Sequence, residues 1–269
     1  MPTDLESLTE RVRHDSSSGS SETTIYVLGS LHEILSNNEI SREQLIEFSK
    51  LLRKAKPAMA PLSNIARLME TAADSIEPDK AALLSVEKVI GNEKTAGARI
   101  ADNAMDKIEG TVLTLSYSGT VMTVLMSVAK KKEIKVIVAE SFPLGEGRRT
   151  AELLSKEGID VTLVADSMVF AEARDSDLCM VGADAITPHA LINKVGTYGI
   201  ALASMQAGIP VYIVSSTLKV TSELKPGWMI EQKMSGKIKE RTQVFEPTPL
   251  ELFTEVITEM GASRPFHLF

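Results

Sequence analysis

Close to Gly110 the hydrophobic period of this chain changes, and that change limits the folds open to it. Ahead of it, apolar residues recur at helical spacing in LESLTERV, TTIYVLGSLHEIL, SREQLIEFSKLLRKA, SNIARLMETAADSI and the long DKAALLSVEKVIGNEKTAGARIADNAMDKI. That rhythm puts one face of each helix against a core. Behind it, TVLTLSY, KVIVAES, DVTLVAD, DLCMVGADAI and PVYIVSST are short, nearly continuous apolar runs, the pattern of parallel strands buried on both faces. GTVMTVLMSVAKKK, GRRTAELLSKEG, DSMVFAEARD and NKVGTYGIALASMQAG separate the runs as helical segments. Five or six helices are thus expected over residues 1–108. An α/β part with a mainly parallel sheet and helices on both faces is expected over residues 109–269, because strand-helix-strand crossovers are right-handed.

Local signals agree with this division. Ser41, with Glu43 and Gln44 just after it, reads as the N-cap of the third helix, since a serine oxygen accepts the free amides of a first turn. KPAMAPLSN and SIEPDK separate helices, proline ending one and fitting the first turn of the next. At 269 residues with 43% hydrophobic and 24% charged residues, the chain buries a substantial core as one large or two smaller domains.

Several function classes drop out. A formal net charge of −7 argues against a whole-surface nucleic-acid binder, leaving only a local basic patch. No apolar run approaches the roughly 18 residues of a membrane span. MPTDLESLTERVRHDSSSG carries Asp4, Glu6 and Glu10 and lacks the basic flank and apolar centre of a signal peptide, so a cytoplasmic protein is expected. The single Cys179 rules out an internal disulfide and a thiolate metal cluster, and the four histidines lack ligand spacing; no metal or cofactor is expected. Cys179 lies within LCMVGADAI and is read as a packing residue.

In an open α/β sheet, ligands bind beyond the carboxyl ends of the strands at the switch point, and the polar residues of this half fall there. Ser116, Tyr117, Ser118 and Gly119 run from a strand into a helix, where amides and hydroxyls can hold a phosphate or merely make a turn. The loop from Glu140 through Gly147, Arg148 and Arg149 offers two guanidiniums for a phosphate, or a solvated helix start. Asp184 ends an apolar strand as a cap or as an acid or base. Asn193 and Lys194, with Lys219 one strand on, suggest an anionic small ligand. The SSSGSS stretch, which includes Ser18, Gly19 and Ser20, is either a linker or an anion-binding turn ahead of a helix.

GADAITPHALINKVGTYGIALASMQAGIPVYIVSSTLK, ESFPLGEGRRTAELL and FEPTPLELFTEVITEMG resemble the family that joins the alpha, beta and delta subunits of translation initiation factor 2B with isomerases of methylthioribose 1-phosphate and ribose 1,5-bisphosphate. Gly110 to Gly261 carries the likeness most strongly, and the archaeal initiation factor 2B-like proteins are the nearest type. The resemblance implies a helical N-terminal domain, a Rossmann-like C-terminal domain, and a homodimer through the latter, with a hexamer as the larger assembly. It also implies a translation initiation factor 2 subunit as a protein partner. RVRHDSSSGSS sits where the family contacts phosphate.

The family's isomerases carry a cysteine where this chain has Ser116, and their GAD aspartate matches Asp184. Aldose-ketose isomerisation needs an acid and a base within reach of two neighbouring carbons. A thiol, with a pKa of about 8.5, exchanges protons near neutrality, whereas an unassisted serine hydroxyl does not. Leu115, Tyr117 and Phe142 depart further from the isomerase pattern, Phe142 standing where the family often has arginine. The pocket positions Asp184, Asn193, Lys194, Lys219, Gly119 and Gly147 to Arg149 are kept. A regulatory subunit that binds a sugar phosphate or nucleoside monophosphate without turnover is therefore expected. The alternatives are a pentose-phosphate isomerase using Asp184 with Ser116 or a water, and a structural subunit with a vestigial pocket.

Overall fold

A computed structural model describes residues 4–15, 18–222, 229–233 and 238–269. Ser16 and Ser17 of the serine-rich stretch lie outside them. Five helices precede the first strand: α1 (Leu5–His14), α2 (Ser20–Asn37), α3 (Arg42–Ala55), α4 (Ala60–Ala73) and α5 (Pro78–Ala104). The expected cap is present, Ser41 Oγ accepting from Gln44 N at 3.3 Å while Gln44 Oε1 accepts from Ser41 N at 2.8 Å. Pro61 and Pro78 sit in first turns, where a missing N–H leaves no helical bond unmade. The apolar stripes converge on one core that includes Leu8, Leu31, Leu45, Phe48, Leu62, Ile65 and Met69, all essentially solvent-free.

The remaining elements are β1 (Gly110–Leu115), α6 (Gly119–Ala129), β2 (Ile134–Ala139), α7 (Glu146–Lys156), β3 (Asp160–Val164), α8 (Val169–Glu172), β4 (Leu178–Val181), β5 (Ala185–Ile186), β6 (Ala190–Lys194), α9 (Thr197–Ala207), β7 (Val211–Val214), β8 (Met229–Lys233), β9 (Lys239–Gln243), β10 (Phe245–Pro249), β11 (Glu255–Thr258) and β12 (Gly261–Ser263). A seven-stranded sheet runs β12-β11-β7-β4-β1-β2-β3, parallel except at β12. β1 pairs with both β2 and β4, Val112 facing Val136 on one side and Leu178 on the other. Alternation along β1 divides the core. Val112 packs with Val136, Val138, Leu125 and Val128 on one face, whereas Leu113 and Leu115 pack with Cys179, Val181, Ile200 and Ala201 on the other. Helix α5 spans both parts of the molecule: Ala82 and Val86 join the helical core, while Ala96, Ile100 and Ala104 join the sheet.

Three local readings change. DVTLVAD, expected as a buried strand, is the sheet edge, with Thr162 and Leu163 exposed; an apolar run reports strand character better than its place in the order. DSMVFAEARD condenses to the four-residue α8 between 3₁₀ turns. Asn193 and Lys194, expected at the head of a helical segment, close β6, which pairs with β5 and β10 in a small antiparallel sheet. The helix starts only after Gly196, whose φ of +101° is open to glycine and strained for other residues. No helix among the described residues is long and apolar enough to cross a membrane.

Candidate functional site

The chain runs outward through β1, β2 and β3 and then returns to the other side of β1 for β4 and β7. The switch point is therefore the gap between the carboxyl ends of β1 and β4. Ser116, with φ +59°, turns the chain out of β1, and its carbonyl accepts from Thr150 Oγ1 at 2.7 Å. Ser118 then caps α6, its Oγ accepting from Val121 N at 3.4 Å. Opposite stands Gly182, just after β4. A Cβ there would lie 2.3 Å from Ser118 Oγ, so only glycine lets the two strand ends approach this closely.

The first turn of α2 closes the gap from the helical side. A Cβ on Gly119 would contact Ser21 at 3.7 Å, and one on Gly19 would contact the Tyr117 ring at 4.0 Å. The amino ends of α2 and α6 thus meet at one point, each presenting first-turn N–H groups and the positive end of a helix dipole. Between them lies a cleft of about 40 Å³ bordered by Gly19, Ser20, Ser21, Glu22, Tyr117, Ser118, Gly119, Ala183, Asp184, Asn193 and Lys219. A water needs about 10–15 Å³ of such space, so the cleft has the size of a single phosphate-like group. Ser20 is 7% exposed, and its hydroxyl has no hydrogen-bond partner among the described residues.

Charges around the cleft are buried and mixed. Lys219, 5% exposed, donates to Ala183 O at 2.7 Å and to Ser21 Oγ at 3.3 Å. Burial pulls its pKa down against the raising influence of Asp184 and Glu93. Asp184, 8% exposed, is pushed from 3.8 to about 6 by burial, opposed by Lys219, Lys194 and Lys56 and reinforced by Glu146. Lys194 is ion-paired with Glu146 at 2.8 Å. Asn193 Nδ2 donates to Thr197 Oγ1 at 2.9 Å, and that hydroxyl donates to Lys194 O at 2.6 Å. The β6–β10 register places Asn193 against Glu246, whose Oε1 accepts from the amides of Gly196 and Tyr198 at 2.8 Å each. The amino end of α9 is thereby filled by the chain's own carboxylate, unlike that of α6.

The sequence-derived candidates divide into three groups. Gly19, Ser20, Tyr117, Ser118, Gly119, Asp184, Asn193 and Lys219 border the cleft itself. Lys194 acts on it electrostatically through Asp184. Ser18, Ser116, Gly147, Arg148 and Arg149 are not among the residues bordering it. Ser18 N is held by Asp15 Oδ1 at 3.1 Å, and Ser116 is buried. Gly147 admits the close approach of α7 to β2, since a Cβ there would lie 2.1 Å from Ala139 O. Arg148 pairs with Glu140 at 2.7 Å. Arg149 pairs with Glu22 at 2.8 Å and stacks 4.0 Å from the Tyr117 ring centroid, which braces the cleft wall from outside.

Ser21, the last residue of the SSSGSS stretch, also borders the cleft, and three residues that the sequence did not single out act here: Lys56, Glu93 and Glu146. Lys56 is buried, 3.8 Å from Asp15, and adjoins a proline in a segment whose only legible signal was a helix break. Glu146 sits inside the Glu140–Arg149 loop, where only the two guanidiniums pointed to an anion. Cys179 is fully buried in β4, and burial pushes its thiol up to about 12, as fits a packing residue. His189 is exposed in the turn between β5 and β6. Among the described residues no group of His, Cys, Asp and Glu is placed to hold a metal ion.

The sequence profile of the Initiation factor 2 subunit family matches residues 16–265. The eIF-2B subunit 2-like protein of Pyrococcus horikoshii is 30% identical over 237 residues, 85% of this chain and 84% of its own. Ribose 1,5-bisphosphate isomerase of Methanocaldococcus jannaschii is 29% identical over 246 residues, 85% of this chain and 80% of its own. The crystal structure of the Pyrococcus horikoshii translation initiation factor eIF-2B superposes with a TM-score of 0.83 at 25% identity, covering 98% of both chains.

Proposed function

Because the chain belongs to the Initiation factor 2 subunit family, whose members here include both eIF-2B-like proteins and an isomerase, we propose that it binds a phosphorylated small molecule without converting it and passes that state to a protein partner. The carrying observation is the meeting of two helix amino ends, α2 and α6, over a cleft of phosphate size beside buried Lys219. N–H groups, dipole and ammonium all favour an anion there, and the unsatisfied Ser20 hydroxyl adds a donor. The non-catalytic part rests on Ser116, a buried hydroxyl in place of the isomerases' thiol; among the described residues it has no hydrogen bond from its side chain to a base that would take its proton. A sugar phosphate or nucleoside monophosphate is the ligand class, and a translation initiation factor 2 subunit the partner class.

The test is a calorimetric titration with ribose 5-phosphate and AMP, repeated on Lys219→Ala. Binding by the parent chain and at least tenfold weaker binding by the variant support the cleft. Equal affinity in both would remove Lys219 from it.

The chain also pairs with a second copy through its C-terminal half. Phe142, Leu144, Leu163, Met168 and Phe170 are large apolar side chains exposed around the open β3 edge; Phe142 and the 166–170 segment are tied together by Asp166 Oδ2, which accepts from Phe142 N at 2.7 Å. Sedimentation equilibrium should give a dimer or a multiple of one, and Phe170→Asp should shift it toward monomer.

A further inference from the structure

The polar cleft is the end of a longer space. A groove of about 630 Å³ shares Ser21, Glu22, Tyr117, Gly119 and Lys219 with it and has the volume and mainly apolar walls of a small-molecule site. Its walls follow from helix geometry. Ser21, Ile25, Leu28 and Gly29 occupy one face of α2, and Thr120, Thr123 and Met126 one face of α6, each at three- and four-residue steps. Ile90, Ala96 and Ile100 of α5 form the floor. Both α2 and α6 begin at the cleft and run away from it, so the space is polar at one end, where Lys219 stands with Glu22 and Glu93, and mainly apolar along its length, with Lys94 and Glu157 the other charged side chains on its lining. From Ser21 to Gly29 it extends about 12 Å at a rise of about 1.5 Å per residue.

Two residues stand out against ordinary helix design. Gly29 lies in the middle of α2, where glycine is the least favourable residue after proline, yet a Cβ there would meet nothing within 4 Å. No internal contact requires the glycine, and its effect is to keep the groove open. Ile25 points an apolar side chain into the same space while remaining 66% exposed.

Resting on the anion-binding reading of the cleft, we propose that the site takes, beyond the polar phosphate esters named above, an amphiphilic phosphate monoester and holds it more tightly: the phosphate occupies the cleft and an apolar body of about 12 Å lies along α2, α5 and α6. Continuity of the groove with the buried Lys219 and Ser20 end favours this occupant over a protein segment, which would need no polar terminus.

The experiment is a calorimetric titration of the full chain with inorganic phosphate, ribose 5-phosphate and hexyl phosphate, repeated on Ile25→Glu and Gly29→Phe. Ile25 is a surface position and Gly29 has free space, and melting curves check that both variants fold. Hexyl phosphate should bind at least tenfold more tightly than the other two. Each substitution should erase that margin while leaving ribose 5-phosphate affinity within twofold. Equal affinity for the three phosphates, or a margin that neither substitution touches, overturns the proposal and leaves the cleft reading intact. Failure of all three to bind removes the cleft reading, and this one with it.

Discussion

At the scale of the residue, Asp184 is the most informative group. Its carboxyl titrates near 3.8 when unfolded and at about 6 in the folded chain, burial outweighing the pull of three lysines. Between those values the folded state holds the proton that the unfolded state has lost, so stability falls as pH climbs from about 4 to about 6 and the loss is complete above that window. The gap corresponds to about 3 kcal/mol at most. Asp184→Asn, which is neutral at every pH, should therefore melt close to the parent near pH 4 and gain up to about 3 kcal/mol over it above pH 7. A difference that does not change with pH would contradict the assigned cause. A group kept at such a cost in a cleft is a functional candidate. The sequence located it by its place after an apolar strand, yet Lys56 and Glu146, two of the charges that set its behaviour, come from segments with no periodic link to it.

At the scale of elements, α5 and α7 show what was legible and what was not. Helical spacing marked α1 to α5 and apolar runs marked β1, β2, β4 and β7, because both signals are local. The β5–β6–β10 sheet escaped notice, since its two-residue and five-residue strands are too short for alternation to register and the β6–β10 pairing joins segments more than fifty residues apart. Gly147 was legible only as part of an arginine loop that can meet a phosphate. Its role in the packing of α7 appears from the 2.1 Å approach a Cβ would make to Ala139 O. A backbone oxygen cannot swing aside, so Gly147→Ala should force α7 away from β2 and cost about 1–3 kcal/mol. Urea denaturation measures it, and a loss below about 0.5 kcal/mol would show that α7 tolerates displacement.

At the scale of the whole molecule, the site exists because a helical layer and an α/β layer share α5 and close on each other at the amino end of α2. The change of period at Gly110 disclosed both layers, and the β1 and β4 strand ends disclosed half of the cleft. The other half, Gly19, Ser20 and Ser21, was legible as a linker or an anion-binding turn, and as a phosphate contact only through the family resemblance, because nothing local says that it folds back onto Tyr117 and Gly119. If the proposed function holds, this cleft retains a phosphate ester without isomerising it. ³¹P and ¹³C NMR of the unmodified chain incubated with ribose 1,5-bisphosphate, and separately with methylthioribose 1-phosphate, reads binding and conversion together. Line broadening of at least one phosphate ester with no ketose carbonyl signal over hours is the expected outcome; a ketose signal that accumulates catalytically and vanishes in Asp184→Asn would contradict retention without turnover.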